Sequence, residues 1–205
     1  AYTWTNGVTY TTSNSTATYT FVNAAGCDSI VTLNLSIVSE HNQVGADIDG
    51  EAANDYSGWS VSLSSDGSTM AIGARYNDGT GSEAGHVRIY KNISGTWTQV
   101  GADIDGEAAS DLSGYSVSLS SDGSTVAIGA IGNDGTGIFA GHVRVYKNIS
   151  GTWTQVGADI DGEAARDYSG WSVSLSSDGS TMAIGALFND GTGSNAGHVR
   201  IYKNI

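Results

Sequence analysis

The chain has 205 residues, with 29 Gly and no Pro, so it is long enough to bury a core and must make its turns with Gly, Asn, Asp and Ser. Its formal charge of −13 opposes binding to nucleic acid, whose phosphates would be repelled, and favours cations as small partners. The single Cys excludes an internal disulfide, and no apolar run reaches the roughly 18 residues that a membrane span needs, so membrane insertion is not expected.

Residues 1–38 predict a small β module. The predicted strands are 2–4, 8–12, 16–22 and 30–38. Asn6-Gly7 is typical of a hairpin turn. In the last strand, apolar Val31 and Leu33 alternate with polar Thr32 and Asn34, which indicates that one face is buried.

The amino-acid sequence of this module, YTWTNGVTYTTSNSTATYTFVNAAGCDSIVTLNLSI, resembles the short Ig-like repeats of very large secreted surface proteins of Bacteroidota-type bacteria. The resemblance implies a partial Ig-like module displayed at the cell surface, often in an attachment adhesin. It also implies a second Cys just before the position of Tyr2, which would explain the lone Cys27. Residues 39–42 are interpreted as a linker.

Residues 43–205 are dominated by an internal repeat. Val44, Val100 and Val156, spaced 56 residues apart, each open the same segment, VGADIDGEAA, and each copy ends in YKNI. Over 50 positions the third copy differs from the first at four places and the second at nine. Three copies of one supersecondary unit are therefore predicted, at about 43–97, 98–153 and 154–205.

Each repeat predicts four β-strands. In the first copy, 60–64 and 69–74 alternate around an Asp66-Gly67 turn and form a hairpin; 86–91 and 96–100 follow after a polar, Gly-rich loop. Four-stranded units at this period are typical of propeller blades, with the slender first strand innermost. The predicted fold class is all-β: three four-stranded antiparallel propeller-type blades, forming a partial β-propeller, behind a small β-sandwich-like module. A flat β-solenoid or a string of separate sandwiches is the alternative.

The copies resemble FG-GAP repeats, the blades of the integrin-α type of propeller. Gly114-Tyr115-Ser116-Val117 is similar to the FG-x-SV opening, Gly129-Ala130-Ile131 to the GAP that follows the hairpin, and GHVRIY to the closing G-x-V-x-V-Y strand. The Asp-rich calcium loop of many family members is here only SSDGST. The GAP proline is replaced by Arg75, Ile131 and Leu187.

Acidic residues also follow the repeat, since 18 of the 21 occupy the same six positions in three copies. The order D-x-D-G-E-x-x-x-D gathers hard oxygen ligands around a Gly turn, as calcium requires, although a solvated, hydrogen-bonded loop would use the same residues. The predicted metal ligands, with calcium as the possible cofactor, are Asp47, Asp49, Glu51, Asp55, Asp103, Asp105, Glu107, Asp111, Asp159, Asp161, Glu163 and Asp167.

No catalytic residue is predicted. The recurring histidines His86, His142 and His198 would require three copies of a site that is normally unique, so they are interpreted as structural. Cys27 has no His or Asn at a spacing that would activate it.

The copies differ mainly in two short stretches that flank NDGTG, and several of the variants are large apolar groups that solvent would not favour unless a partner covers them. Neutral drift after duplication would give the same pattern. The predicted partner-binding residues are Arg75, Tyr76, Ile131, Ile138, Phe139, Leu187 and Phe188.

The sequence is interpreted as a non-enzymatic, extracellular adhesion or structural segment of a larger secreted protein, because near-identical copies offer no unique site. Its expected partners are other blades, of the same or a second chain, and a cell-surface glycan or protein. The alternative is a fragment of a propeller-type glycan-acting enzyme, which would need a unique acid pair near the axis, or a carbohydrate-binding module.

Overall fold

The structure, a computed structural model, describes residues 1–22, 24–37, 42–203 and 205. The chain divides into two compact units, Ala1–Gln43 and Val44–Ile205. Of the predicted linker 39–42, only Asn42 lies within the described residues. The described residues form 17 β-strands and no helix. Accordingly, no helix in this part of the chain is long and apolar enough to cross a membrane.

The first unit consists of two antiparallel hairpins. Strand β1 (Tyr2–Thr3) pairs with β2 (Thr9–Tyr10), and β3 (Thr18–Val22) pairs with β4 (Asp28–Thr32). The last strand is shorter than predicted, because the chain beyond Thr32 forms only an isolated bridge between Leu35 and Asn14. The Asn14 side chain accepts hydrogen bonds from the backbone amides of Thr16 and Ala17, at 2.9 and 2.8 Å, and forms a turn at this point of the chain.

The second unit contains three antiparallel sheets, one for each repeat. The first sheet comprises β5 (Ser60–Leu63), β6 (Thr69–Ala74), β7 (His86–Ile93), β8 (Thr96–Gln99) and β9 (Ile104–Asp105). The second comprises β10 (Ser113–Leu119), β11 (Thr125–Ala130), β12 (His142–Ile149), β13 (Thr152–Gln155) and β14 (Ile160–Asp161). The third comprises β15 (Ser169–Leu175), β16 (Thr181–Ala186) and β17 (His198–Lys203).

The predicted four-stranded blade is confirmed in the first two sheets, where the strands pair in chain order. A short fifth strand, β9 or β14, comes from the beginning of the following repeat and pairs with β7 or β12. Each of these two sheets is thereby joined to the beginning of the following repeat. The unit is an open, partial propeller, as the sequence predicts.

The predicted hairpin turn is also present. Gly67 has a φ of +68° and donates its N–H to the Ser64 carbonyl at 2.9 Å. Asp66 accepts hydrogen bonds from the Ser64 hydroxyl at 2.7 Å and from the Ser68 amide at 2.9 Å. The carboxylate therefore closes the turn, which is what Asp followed by Gly is suited to do.

Hydrophobic clusters lie between neighbouring blades. One cluster joins Val87 and Ile89 of the first blade to Val117 and Ile128 of the second, and a second cluster joins the second and third blades in the same way. Residues 86–90 of strand β7 are all buried, so both faces of this part of the strand are covered. Its other face is covered by the loop before β5, where the Asp49 carbonyl accepts a 2.7 Å hydrogen bond from Arg88 Nη2.

The first strands of adjacent blades are held together by a repeated polar contact. Ser60 Oγ donates to the Gly114 carbonyl and Ser116 Oγ to the Gly170 carbonyl, each at 2.7 Å. A Cβ at Gly73 or Gly129 would overlap these carbonyl oxygens. Glycine in the AIGA strand therefore permits the close approach of blades.

The outer faces of this blade stack are open. On the third blade Val199 is 66% and Ile201 69% exposed, although the equivalent Val87 and Ile89 are buried. On the first blade Val61 and Leu63 are exposed, although Val117 and Leu119 are buried. Each open face therefore exposes side chains that, between the other blades, are buried in the contact between neighbours.

Candidate functional site

Three aromatic side chains form a continuous row across the blades. Trp59, Tyr115 and Trp171 occupy the same repeat position, at the beginning of the first strand of each blade. The ring centroids of Trp59 and Tyr115 lie 5.7 Å apart, and those of Tyr115 and Trp171 lie 5.0 Å apart. Each pair is tilted by 51°. We call these three residues the aromatic row.

The aromatic row is reachable by solvent. Trp59 is 47% exposed, and Tyr115 and Trp171 are half-buried. Burial raises the pKa of the Tyr115 hydroxyl, and the positive charge of Arg75 opposes that rise. The hydroxyl therefore remains protonated near neutral pH, where it can donate a hydrogen bond.

Arg75 extends one end of the row. Its guanidinium carbon lies 3.4 Å from the centroid of the Trp59 ring, a close cation–π contact, and 4.4 Å from that of Tyr76. The Nε atom of Arg75 is buried and makes no hydrogen bond.

The other end of the row joins a second group of rings. Phe188 lies 6.0 Å from Trp171 and 5.4 Å from Tyr168, and Phe139 stacks on Tyr168 at 5.6 Å. The residues predicted to bind a partner thus divide into three groups. Arg75 and Phe188 contact the row itself, and Tyr76 and Phe139 lie next to it, against Arg75 and Tyr168. Ile138 and Leu187 are exposed, and Ile131 is covered within the chain at 5% exposure. Their role in binding stays a prediction.

The sequence motif that contains Tyr115 recurs with Trp59 and Trp171 in the other copies, and it was interpreted only as part of the repeat. This interpretation missed that one ring per repeat, carried on the innermost strand, becomes a continuous surface when the blades pack side by side. An aromatic residue at one repeat position in all three copies was the available signal.

The acidic residues predicted as metal ligands lie in two different environments. In the first, a buried carboxylate is held by hydrogen bonds within its loop. Asp55 is buried, and its Oδ2 accepts hydrogen bonds from the Ala52 amide at 3.1 Å and from Asn77 Nδ2 at 3.0 Å. Asp111 and Asp167 make the same pair of bonds in their copies. Each of these carboxylates therefore ties its loop to the Asn that begins the Gly-rich segment NDGTG of the same repeat.

A separate cluster brings Glu51 to His86 and to Asp103 of the next repeat. His86 Nδ1 lies 3.8 Å from Glu51 Oε2 and 3.8 Å from Asp103 Oδ2. The second copy groups Glu107, His142 and Asp159. Within the described residues these are the two groups of at least three ligating side chains that are close enough together to hold one metal ion. Calcium binding by the loop carboxylates stays a prediction.

Burial lowers the pKa of His86 and, more weakly, Asp103 and Glu51 raise it. For His142, burial and the nearby Arg144 lower the pKa, and Asp159 and Glu107 oppose them. Burial therefore favours the neutral imidazole, the form that binds metals.

The FG-GAP repeat family model matches residues 47–90 and 150–202. The second repeat, which differs from the first at nine of 50 positions, lies mostly between the two matches. The chain therefore carries FG-GAP-like repeats, as its motifs predict. No curated protein matches the sequence.

Two solved structures have a similar fold. A periplasmic gluconolactonase of Pseudomonas aeruginosa shares 18% identity at a TM-score of 0.47, covering 95% of this chain and 48% of its own. A Bacteroides uniformis protein assigned as a 6-phosphogluconolactonase shares 14% identity at a TM-score of 0.43, covering 91% of this chain and 50% of its own. The chain thus spans about half the length of these structures, and at such identities the likeness concerns the fold.

These comparisons correct one prediction. The chain was expected to be a non-enzymatic adhesion or structural segment, and this prediction is not kept: the two solved structures are named as lactonases, a description that holds for those proteins, and no comparison supports adhesion. FG-GAP repeats do not by themselves specify adhesion. The near-identity of the copies, on which the prediction rested, is a property of the framework and does not exclude an activity.

Proposed function

We propose that this chain of FG-GAP-like repeats is part of a propeller-type, glycan-acting enzyme, and that the aromatic row binds a sugar of its substrate. The continuous, accessible row of Trp59, Tyr115 and Trp171 is the observation that carries the proposal. A sugar ring has apolar C–H faces that pack on aromatic faces, and hydroxyl groups around its edge that require polar partners. Arg75 and the Tyr115 hydroxyl supply such partners beside the row.

The charge of the chain narrows the class of sugar. With a formal charge of −13, the chain repels sulfated and uronate-rich glycans over most of its surface. Arg75 provides local positive charge at one end of the row. We therefore infer a neutral oligosaccharide, or one carrying a single acidic group, as the ligand.

The test is titration of neutral oligosaccharides against Trp59→Ala and Trp171→Ala, monitored by isothermal calorimetry. We expect each substitution to weaken binding by about 10-fold, because one stacked ring contributes about 1.4 kcal/mol. Trp97→Phe is the control, since Trp97 lies on the outer strand β8 and donates its indole N–H to the Val44 carbonyl at 2.9 Å. Equal losses in all three variants, or unaltered binding in the first two, would overturn the proposal.

We also infer that further blades pack on this unit. The open face of the third blade carries a depression of about 420 Å³ lined by Trp171, Ser172, Gly185, Val199 and neighbouring residues. In the first two blades the equivalent place is filled by the next blade, whose Gly114 or Gly170 carbonyl accepts the serine hydroxyl. The occupant that fits is another blade of the same repeat type, from the same or a second chain, because propellers typically have 4 to 8 blades.

Two further proposals concern location and calcium. We propose that the protein works outside the cytoplasm, as the resemblance of residues 1–38 to Ig-like repeats of secreted proteins implies. Calcium at the loop between Asp47 and Asp55 and at its copies is kept as a proposal on the carboxylate pattern alone. Calcium titration of Asp49→Ala, Asp105→Ala and Asp161→Ala tests it, and unchanged binding would count against it.

A further inference from the structure

We propose that Glu51, His86 and Asp103 bind a first-row divalent metal ion of the zinc class, and that Glu107, His142 and Asp159 bind a second. This inference does not depend on the sugar-binding proposal. It concerns a different set of side chains.

The buried histidine is the first observation. The side chains of His86 and His142 are each 1% exposed, and neither ring nitrogen of either residue makes a hydrogen bond. A buried imidazole without partners costs free energy, since its polar atoms have lost water and gained nothing in return. A metal ion would satisfy Nδ1, the atom that faces the carboxylates.

The carboxylates are placed as ligands would be. His86 Nδ1 is 3.8 Å from both Glu51 Oε2 and Asp103 Oδ2, and His142 Nδ1 is 3.9 Å from Glu107 Oε2. These separations are too long for hydrogen bonds. A tetrahedral zinc ion with bonds of about 2.0–2.2 Å holds its ligands about 3.3–3.6 Å apart, which is slightly closer than these distances. Glu51 is exposed and Asp103 half-buried, so a small movement of the Glu51 side chain would bring its carboxylate within the range for a ligand.

The aspartate is oriented by a neighbouring amide. Gln99 Nε2 donates to Asp103 Oδ1 at 2.6 Å and leaves Oδ2 facing the histidine; Gln155 does the same for Asp159 at 2.7 Å. Such outer partners typically fix the ligands of a metal site.

The charges around the cluster favour a cation. Around His86 stand the carboxylates of Glu51, Asp103 and Asp105 and one positive group, Arg88, whose Nη1 lies 3.7 Å from Glu51 Oε1. Around His142 stand Glu107, Asp159 and Asp111, with Arg144 as the positive group. The net local charge is negative in both clusters.

The ligand set selects the metal. One imidazole nitrogen with two carboxylates suits zinc and its neighbours, whereas calcium takes six to eight oxygens. Three protein ligands leave a coordination position for water or for a group of a partner. Because Glu51 and His86 belong to one repeat and Asp103 to the next, the ion would join the beginning of each repeat to the preceding sheet.

The third repeat provides an internal control. His198 Nδ1 lies 3.5 Å from Glu163 Oε2, but a third ligand would have to come from a following repeat. Two complete sites and one incomplete site are therefore expected in this chain.

The experiment is zinc titration of the full chain with Cys27→Ser as the background, because a thiolate is itself a zinc ligand. We expect two ions per chain by calorimetry and elemental analysis, and a thermal midpoint that rises with zinc concentration. The double variant Glu51→Gln with Glu107→Gln should bind at least about 10-fold more weakly. Glu163→Gln, at the incomplete site, should leave both ions in place.

A second measurement keeps the result independent of folding. Co²⁺ in place of Zn²⁺ should give visible absorption bands of nitrogen and oxygen ligation that are lost in the double variant, while circular dichroism confirms that both variants remain folded. Binding of fewer than two ions, an unchanged zinc affinity in the double variant, or calcium competing as well as zinc would each overturn the proposal.

Discussion

Replacing Gly129 by Ala tests how the blades are held together. A Cβ at this position would overlap the Gly170 carbonyl oxygen of the next blade and would displace the Ser116 hydroxyl that bonds to it. Gly185 occupies the same repeat position in the third blade, where the nearest atom to an added Cβ is Ser172 Oγ of the same blade. The two substitutions therefore differ by one inter-blade contact.

The expected magnitude follows from this contact. Overpacking against a backbone atom costs about 3 kcal/mol, and loss of one hydrogen bond about 1 kcal/mol. Gly185→Ala meets only a side-chain oxygen, and alanine restricts the unfolded chain, so its net cost should be about 1 kcal/mol or less. We expect Gly129→Ala to lower the free energy of unfolding by about 3 kcal/mol more than Gly185→Ala.

The assay is urea unfolding followed by tryptophan fluorescence and circular dichroism, with free energies from linear extrapolation. Coincident transitions in the two signals would show that the second unit unfolds cooperatively. If both variants lose the same stability, then the close approach of the blades through glycine does not hold them together, and the reasoning fails.

Two further predictions concern acid stability and self-association. The turn hydrogen bonds to Asp66 and Asp178, from a serine hydroxyl and a backbone amide, hold the pKa of each carboxyl at about 2, below its ordinary value of 3.8. Because the folded pKa is lowered, the stability that these groups contribute is present above about pH 4 and is lost as the pH falls toward 2. Changing both, together with Asp122, to Asn should flatten the decline of the thermal midpoint over this range, and parallel declines would contradict the assignment. The open face of the third blade should associate with the open face of the first blade of a second copy. Sedimentation velocity should therefore show concentration-dependent oligomers, and Val199→Lys should abolish them. Replacing Ile138 and Phe139 by Ser and Glu should reduce the oligomers only if the loop edge also forms the contact.

Much of the fold follows from the sequence because it is determined locally. Alternation of small and apolar residues on both sides of Asp66-Gly67 specifies a hairpin, and three copies of the pattern specify three of them. The burial of strand β7 was harder to predict. Alternation of residues along the strand predicts one buried face, whereas the structure buries both faces. The covering loop contacts Arg88 through the carbonyl of Asp49, which is 39 residues away.

The candidate sites depend on the tertiary structure. Trp59 and Tyr115 are 56 residues apart in sequence, and only side-by-side packing of the blades brings their rings to 5.7 Å. The acidic pattern predicted Glu51 and Asp103 as possible metal ligands, each within its own loop, because sequence spacing shows only carboxylates that are close along the chain. It gave no sign that both residues lie beside His86. Strand β9 returns to pair with β7, and this pairing places Asp103 beside His86. The sequence by itself determines the blade, because a hairpin depends on neighbouring residues; which side chains meet between blades is decided by packing, because those contacts join residues far apart in the chain.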